Sequence, residues 1–161
     1  MLAYREAYRL LPGDPLTANN LGYILADHGT TPDDFAEAVR LTRGVVEKMP
    51  DQPVFLDSFG WALFKRGDSA QNDLAGARRR LREAVDLAPD MPELHLHLAA
   101  VYEALNKLPD ALREAEIAAQ LASAPDDIAA RTLRDRLKPL VAPPSPSASP
   151  IETQQARPQE P

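Results

Sequence analysis

There is no cysteine among the 161 residues, so disulfides and thiolate metal sites are excluded, while the redox compartment stays open. Glycine is scarce at seven residues, and aromatics make up only 6%. No strictly alternating apolar segment reads as a strand. The 44% hydrophobic fraction is mostly Leu and Ala, with little Val or Ile, a mixture that favours helix over strand. Positive charge is not in excess: the net charge is −6 and the pI is near 5, which gives no overall electrostatic draw towards nucleic acid or an anionic membrane. No apolar run approaches the roughly eighteen residues of a membrane span. The opening MLAYREAYRLLP is an amphipathic helix with charges inside it, unlike a signal peptide. The expectation is a soluble protein, long enough for one domain with a real core, with no membrane insertion and no nucleic-acid partner.

Proline is what the chain has in quantity, with sixteen residues. Pro12, Pro50 and Pro89 each end a helical pattern, in RLLPGDP, VEKMPDQP and VDLAPDMP. Each is followed by an acidic residue, a second proline and a new apolar-periodic stretch. Pro15, Pro53 and Pro92 stand where a first-turn proline is tolerated, because the missing N–H has no helical partner there. Asp14 and Asp51 fall at or near the preceding caps. The spacings between these marks are 38, 39 and 34 residues, the last ending at Ser123. Each interval fits two helices. The first runs to a loop at Gly29, Gly67 or Asn106, and the second begins near Asp33, Asp73 or Leu108. A helix–turn–helix recurring with a basic length of about 34 residues marks a solenoid.

The paired positions Leu21-Gly22, Phe59-Gly60 and Leu98-Ala99 repeat in register. They are followed by Leu25, Leu63 and Tyr102, then by Ala38, Ala77 and Ala111, and later by Val45, Ala84 and Ala118. Tyr4 and Ala7 fit the second half of a preceding repeat. On these residues the chain resembles the tetratricopeptide repeats over residues 1 to about 124. The resemblance implies an all-α, right-handed superhelical solenoid of antiparallel helix pairs. Residues 1–12 would be the second helix of a preceding repeat, 13–50, 51–89 and 90–124 three full repeats, and 125–140 a capping helix with Ile128, Leu133 and Leu137 on one face and Asp126 as its cap. The Pro/Ser-rich segment 141–161 has too little apolar mass to order itself. The pairing of NNLGYILAD with LDSFGWALF is also similar to repeat arrays of bacterial envelope and export-associated proteins, and the compartment is left open between bacterial cytoplasm and periplasm or envelope.

Glycine inside a helix costs roughly 1 kcal/mol relative to alanine. Gly22 and Gly60 are therefore expected where paired helices cross closely, against Ala38 and Ala77. The first two repeats carry four and five extra residues between their helices, in HGTTPDDFAEA and GDSAQNDLAGA. These either lengthen a loop or extend a helix by one turn.

Chemistry-bearing patterns are sparse. His95 and His97 point about 200° apart on a helix and cannot chelate one ion together. His95 falls at a packing position and His97 towards the adjacent surface; His28 precedes a loop. Asp33-Asp34 and Asp126-Asp127 sit at helix starts, where capping accounts for them. Ser58 has no elbow motif, and phosphate, dinucleotide and calcium loops are not found. Arg78, Arg79, Arg80 and Arg82 spread around a helix, with Glu83 and Asp86 in pairing range. Neither catalysis nor a cofactor nor a metal is expected.

In the family the first helices line a concave groove. The resemblance places Asn19, Tyr23, Asp27, Asp57, Trp61, Lys65, Leu96, Ala100 and Glu103 there, outside the helix–helix contacts. Tyr23 and Trp61 stand at equivalent positions, either as anchors for a partner or as fillers between first helices. The family's clamp for C-terminal carboxylates needs a set of Lys, Arg and Asn that Asn19, Asn20 and a lone Lys65 do not supply. The functional expectation is a non-catalytic scaffold binding a partner peptide or helix in the groove. The alternatives are a homo-oligomer through residues 2–11, where Leu2, Tyr4, Ala7 and Leu10 form an uncovered face, or the C-terminal part of a longer array.

Overall fold

Proline placement and short polar caps set the helix starts. The computed structural model describes residues 1–67, 71–122 and 128–141. Within them lie α1 (Leu2–Leu10), α2 (Pro15–His28), α3 (Pro32–Lys48), α4 (Pro53–Arg66), α5 (Gln71–Leu87), α6 (Pro92–Ala104), α7 (Leu108–Leu121) and α8 (Ile128–Val141). No strand occurs among the described residues. Pro15, Pro53 and Pro92 each open a helix. Asp14 caps α2, accepting from the Thr17 backbone N–H at 2.7 Å. Asp51 does not cap: it stands one residue too early, and Gln52 takes the cap position of α4 without a side-chain bond. Thr31 and Asp34 form a reciprocal capping box on α3. Hydrogen bonds from Thr31 and Thr30 hold the Asp34 carboxyl below its usual range. Asp126 and Asp127 lie outside the described residues. So does the Pro/Ser-rich segment from residue 142 onward.

The helices end where the backbone turns. Gly67 has φ of 59° and Asn106 has φ of 55°, the left-handed region that glycine enters freely and asparagine tolerates. The connections around the first and third turns, 29–31 and 105–107, are equally short, whereas α3 has 17 residues and α7 has 14. α5 also has 17. The extra residues of the first repeat are thus accommodated chiefly as about one added helical turn rather than as a projecting loop; in the second repeat, residues 68–70 lie outside the described residues.

Successive helices pair as α2 with α3, α4 with α5 and α6 with α7, and the pairs stack through α3–α4 and α5–α6. α2 meets α4, and α4 meets α6, so the first helices form an inner layer. Leu21, Leu25, Leu81, Leu94 and Val101 fill the core, with Ala38, Ala77 and Ala111 wholly buried at the pair crossings. Gly22 and Gly60 face those crossings as expected. A Cβ on Gly22 would lie 2.6 Å from Thr42 Cγ2 and 3.3 Å from the Ala38 carbonyl oxygen. On Gly60 it would lie 2.7 Å from Leu81 Cγ and 3.2 Å from the Ala77 carbonyl oxygen. The helix-propensity loss is exchanged for close backbone approach.

The two ends differ. α8 packs on α7 and buries Ala130, Leu133 and Leu137. Ile128, expected on that face, is 71% exposed, because five residues separate it from Leu133 and rotate it away. Ala130, three residues before Leu133, occupies the inward position instead. α1 has no buried residue. Arg5 ties it to α3 through Glu37 at 2.7 Å and Asp34 at 3.1 Å. Leu2 is 86% exposed, and Leu10 is also exposed.

Candidate functional site

Residues four apart on a helix form one stripe. Asn19, Tyr23 and Asp27 make such a stripe on α2, and Asp57, Trp61 and Lys65 make another on α4. Glu93 and His97 make a third on α6. The inner layer brings the three together.

His97 is at the centre. Its Nδ1–H donates to both Asp57 oxygens, at 2.8 and 3.0 Å. Its ring stacks on the Trp61 indole, with centroids 4.1 Å apart and planes at 17°. The Tyr23 ring lies 6.2 Å from the imidazole, and the Tyr23 hydroxyl donates to Glu93 Oε1 at 3.3 Å. α2 therefore reaches α6 across the face of α4. Asp57 is 5% exposed. Burial pushes its carboxyl above the ordinary range and Glu93 adds to the effect, against the opposing hydrogen bond from His97. Burial, followed by the charges of Glu93, Asp27 and Asp57, likewise holds the Tyr23 phenol well above its usual range.

Trp61 is half-buried, with Phe64 5.1 Å from it and Lys65 Nζ 5.4 Å from its ring centroid. Lys65 also lies 3.8 Å from Asp27. Beside this cluster, a cavity of about 320 Å³ opens between α1, α2, α4 and α6. Asn19, Tyr23, Asp57, Ser58 and Glu93 supply polar groups to its wall, with Asn20 and Tyr4 beside them.

Of the residues expected in the groove, Asn19, Tyr23 and Asp57 meet at this cavity, and Asp27, Trp61 and Lys65 form the adjoining cluster. Asn19 and Asp57 are not open groove surface, however. Asn19 is 2% exposed, and both are enclosed where the first helices pack together. Leu96 is half-buried against the core, Ala100 is half-buried, and neither lines the cavity. Glu103 is engaged by Arg136 of α8, with Nη2 2.8 Å from Oε2.

His97, expected towards the adjacent surface, is buried instead. Its importance was missed, as were those of Glu93 and Tyr4. The available signal was the four-residue step from Glu93 to His97, matching the steps on α2 and α4. His95 turns away from His97 as expected. Its Nδ1 lies 2.8 Å from Glu114 Oε2, and its Nε2–H donates to the Pro89 carbonyl at 2.9 Å. Among the described residues, no group of three or more His, Asp or Glu side chains is placed to hold a metal ion. In the arginine run, Arg80 pairs with Glu83 at 2.7 Å and lies 5.7 Å from the Phe59 ring centroid. No helix among the described residues is long and apolar enough to cross a membrane.

The tetratricopeptide-repeat family model matches residues 69–137. A TPR repeat-containing protein of Pseudomonas aeruginosa is 38% identical over 87 residues. That match takes in 54% of this chain but only 13% of the length of the relative. Among solved structures, a thermophilic TPR protein of Thermus thermophilus superposes with a TM-score of 0.71 at 20% identity, over 85% of this chain and 70% of that one. The first TPR of Spaghetti (RPAP3), bound to an HSP90 peptide, superposes with a TM-score of 0.65 at 20% identity, over 78% and 94% of the two chains. MamA gives a TM-score of 0.60 at 21% identity, over 85% and 80%. The all-α, right-handed superhelical stack of antiparallel pairs is thus the architecture of this protein, and it is an architecture that generally serves protein–protein interaction. With its recurrent small-residue crossings and its inner layer of first helices, the chain has the tetratricopeptide-repeat fold, and over residues 69–137 it is similar in sequence to that family.

Proposed function

We propose that this chain is a non-catalytic interaction module, with 13–50, 51–89 and 90–124 as its three repeats, and that it holds a segment of a partner protein along the face of α2, α4 and α6. The supporting observation is the convergence of three stripes, one from each first helix, on a single cavity with the Tyr23 ring in its wall and Trp61 in the adjoining cluster. Tyr23 and Trp61 form the centre of the contact. Both rings are already packed against His97, so they act as a preformed platform and lose little freedom on binding. Asn19 and Asp57 form its floor, Asp27 and Lys65 set polarity on one side, and Leu96, Ala100 and Glu103 extend it along α6. A solved relative of the same fold carries an HSP90 peptide, which supports a peptide as the class of ligand.

The test uses Trp61, the one tryptophan of the chain. A partner recovered by affinity capture on the full chain should shift its emission, and Trp61→Ala with Tyr23→Ala should abolish capture while preserving the helical melt. Capture that survives both substitutions in a folded protein excludes this groove.

A second reading, self-association, is favoured by the exposed apolar side chains of α1: Leu2, and at its end Leu10 and Leu11. A second copy covering that edge predicts a concentration-dependent mass in sedimentation, lost in Leu2→Glu/Leu10→Glu. A monomer at all concentrations rules it out.

A further inference from the structure

The charge on the cavity between α2, α4 and α6 is unbalanced. Its wall holds the carboxylates of Asp57 and Glu93 and no lysine or arginine. Nearby cations are engaged elsewhere: Arg5 with Asp34 and Glu37, and Lys65 with Asp27. The Asn19 amide is part of the same wall and is almost wholly buried, yet its Oδ1 has no hydrogen-bond partner. Unmatched buried amide oxygens are costly and rare in folded proteins. A half-turn of that amide presents either its oxygen or its nitrogen to the cavity. The phenols of Tyr4 and Tyr23 complete the wall. Burial above all, and after it the charges of Glu93, Asp27 and Asp57, keep the Tyr23 phenol protonated.

We propose that this cavity is a subsite for one cationic side chain, lysine or arginine, carried by the partner segment in the groove. The proposal rests on the groove reading and assigns the chemistry that the groove selects. Carboxylates give a cation charge, the Asn19 amide gives it an acceptor, and the aromatic wall gives it π faces. An acidic side chain would meet two carboxylates, and an apolar one would cover Glu93 without supplying a cation to pair with it, Asp57 being already bonded to His97. The volume of about 320 Å³ suits an extended side chain with its accompanying water.

The experiment is an NMR titration of the labelled full chain with N-acetyl-lysine N-methylamide and N-acetyl-arginine N-methylamide. The norleucine and glutamate counterparts serve as controls, and the side-chain amide of Asn19 is the reporter. Lysine or arginine should shift that amide saturably, and norleucine and glutamate should not. Glu93 is exposed, so Glu93→Gln should keep the fold, as judged by its melt, and weaken cation binding about fivefold, the scale of a solvent-accessible ion pair. Equal shifts with norleucine and lysine, or no loss in Glu93→Gln, overturn the cation subsite. A peptide library panned on the full chain separates the two readings. Selected peptides that perturb Trp61 without enriching lysine or arginine leave the groove standing and remove the subsite. A saturable lysine titration with no library binder sensitive to Trp61→Ala keeps the cation site and removes the groove.

Discussion

The imidazole of His97 lies flat on the indole of Trp61, 4.1 Å between centroids, while its Nδ1–H is bonded to Asp57. One side chain from the third repeat thus fixes an aromatic ring and a buried carboxylate of the second. The inner face of the solenoid is a packed polar junction here, and a partner would meet it already assembled.

His97→Ala leaves Asp57 buried without its donor, and truncating one member of a buried pair costs about 3–5 kcal/mol. Asp57→Ala/His97→Ala should lose less than the sum of the two single changes. Urea unfolding of the four proteins of this cycle measures the coupling, and additive losses would falsify the pairing.

Asp57 also predicts a pH dependence. Its carboxyl is raised in the folded protein, by burial above all. The stability it contributes is therefore fully present below the ordinary carboxylate range and is lost as pH rises through the raised value. Asp57→Asn keeps an acceptor for His97 and removes this titration. Its stability relative to the unsubstituted protein should grow as pH rises from strongly acid conditions through that window. Urea midpoints across pH test this, and a constant difference at every pH contradicts it.

Gly22→Ala places a methyl 2.6 Å from Thr42 Cγ2, an overpacking worth about 1–3 kcal/mol. Thr42→Ser removes that methyl and keeps the hydroxyl that donates to the Ala38 carbonyl at 2.8 Å. Gly22→Ala should consequently cost clearly less in the Thr42→Ser background, leaving the 3.3 Å approach to the Ala38 oxygen and the 3.4 Å contact with Leu41 Cβ. Thermal melts of the pair decide, and equal losses in both backgrounds mean that α3 gives way as a whole.

At the other end, α8 is held by burial rather than by charge. Leu137 is wholly buried, so Leu137→Ala should cost about 2–5 kcal/mol. The Arg136–Glu103 pair is partly open to solvent, and Arg136→Ala should cost less than about 1 kcal/mol. Amide exchange on α8 and α7 should quicken in the first variant and remain nearly unchanged in the second. The reverse ranking would assign the docking to the ion pair.

Much of the fold was legible because its signals are local. A proline at the first helical position, an aspartate before it and a glycine or asparagine at the turn each act within a few residues, and they located α2, α4 and α6 well. Gly22 and Gly60 were legible for a related reason: only a close crossing explains a helix-weakening residue recurring in register. Where the expectation missed, the miss was one of register. Asp51 stands one residue before the cap position, which Gln52 takes, and Ile128, five residues from Leu133, is rotated off the face that Ala130 shares with Leu133 and Leu137.

By itself the sequence determined the repeated helix pairs and which small residues lie at their crossings, since hydrogen bonding and sterics within one pair settle those points. Only the tertiary structure decided what the inner face is made of. The contact of Tyr23 with Glu93, 70 residues away, and the burial of Asn19, Asp57 and His97 follow from the rotation of each pair against the next. That rotation is set by how side chains of successive pairs interlock, a property of the stack that no single repeat encodes.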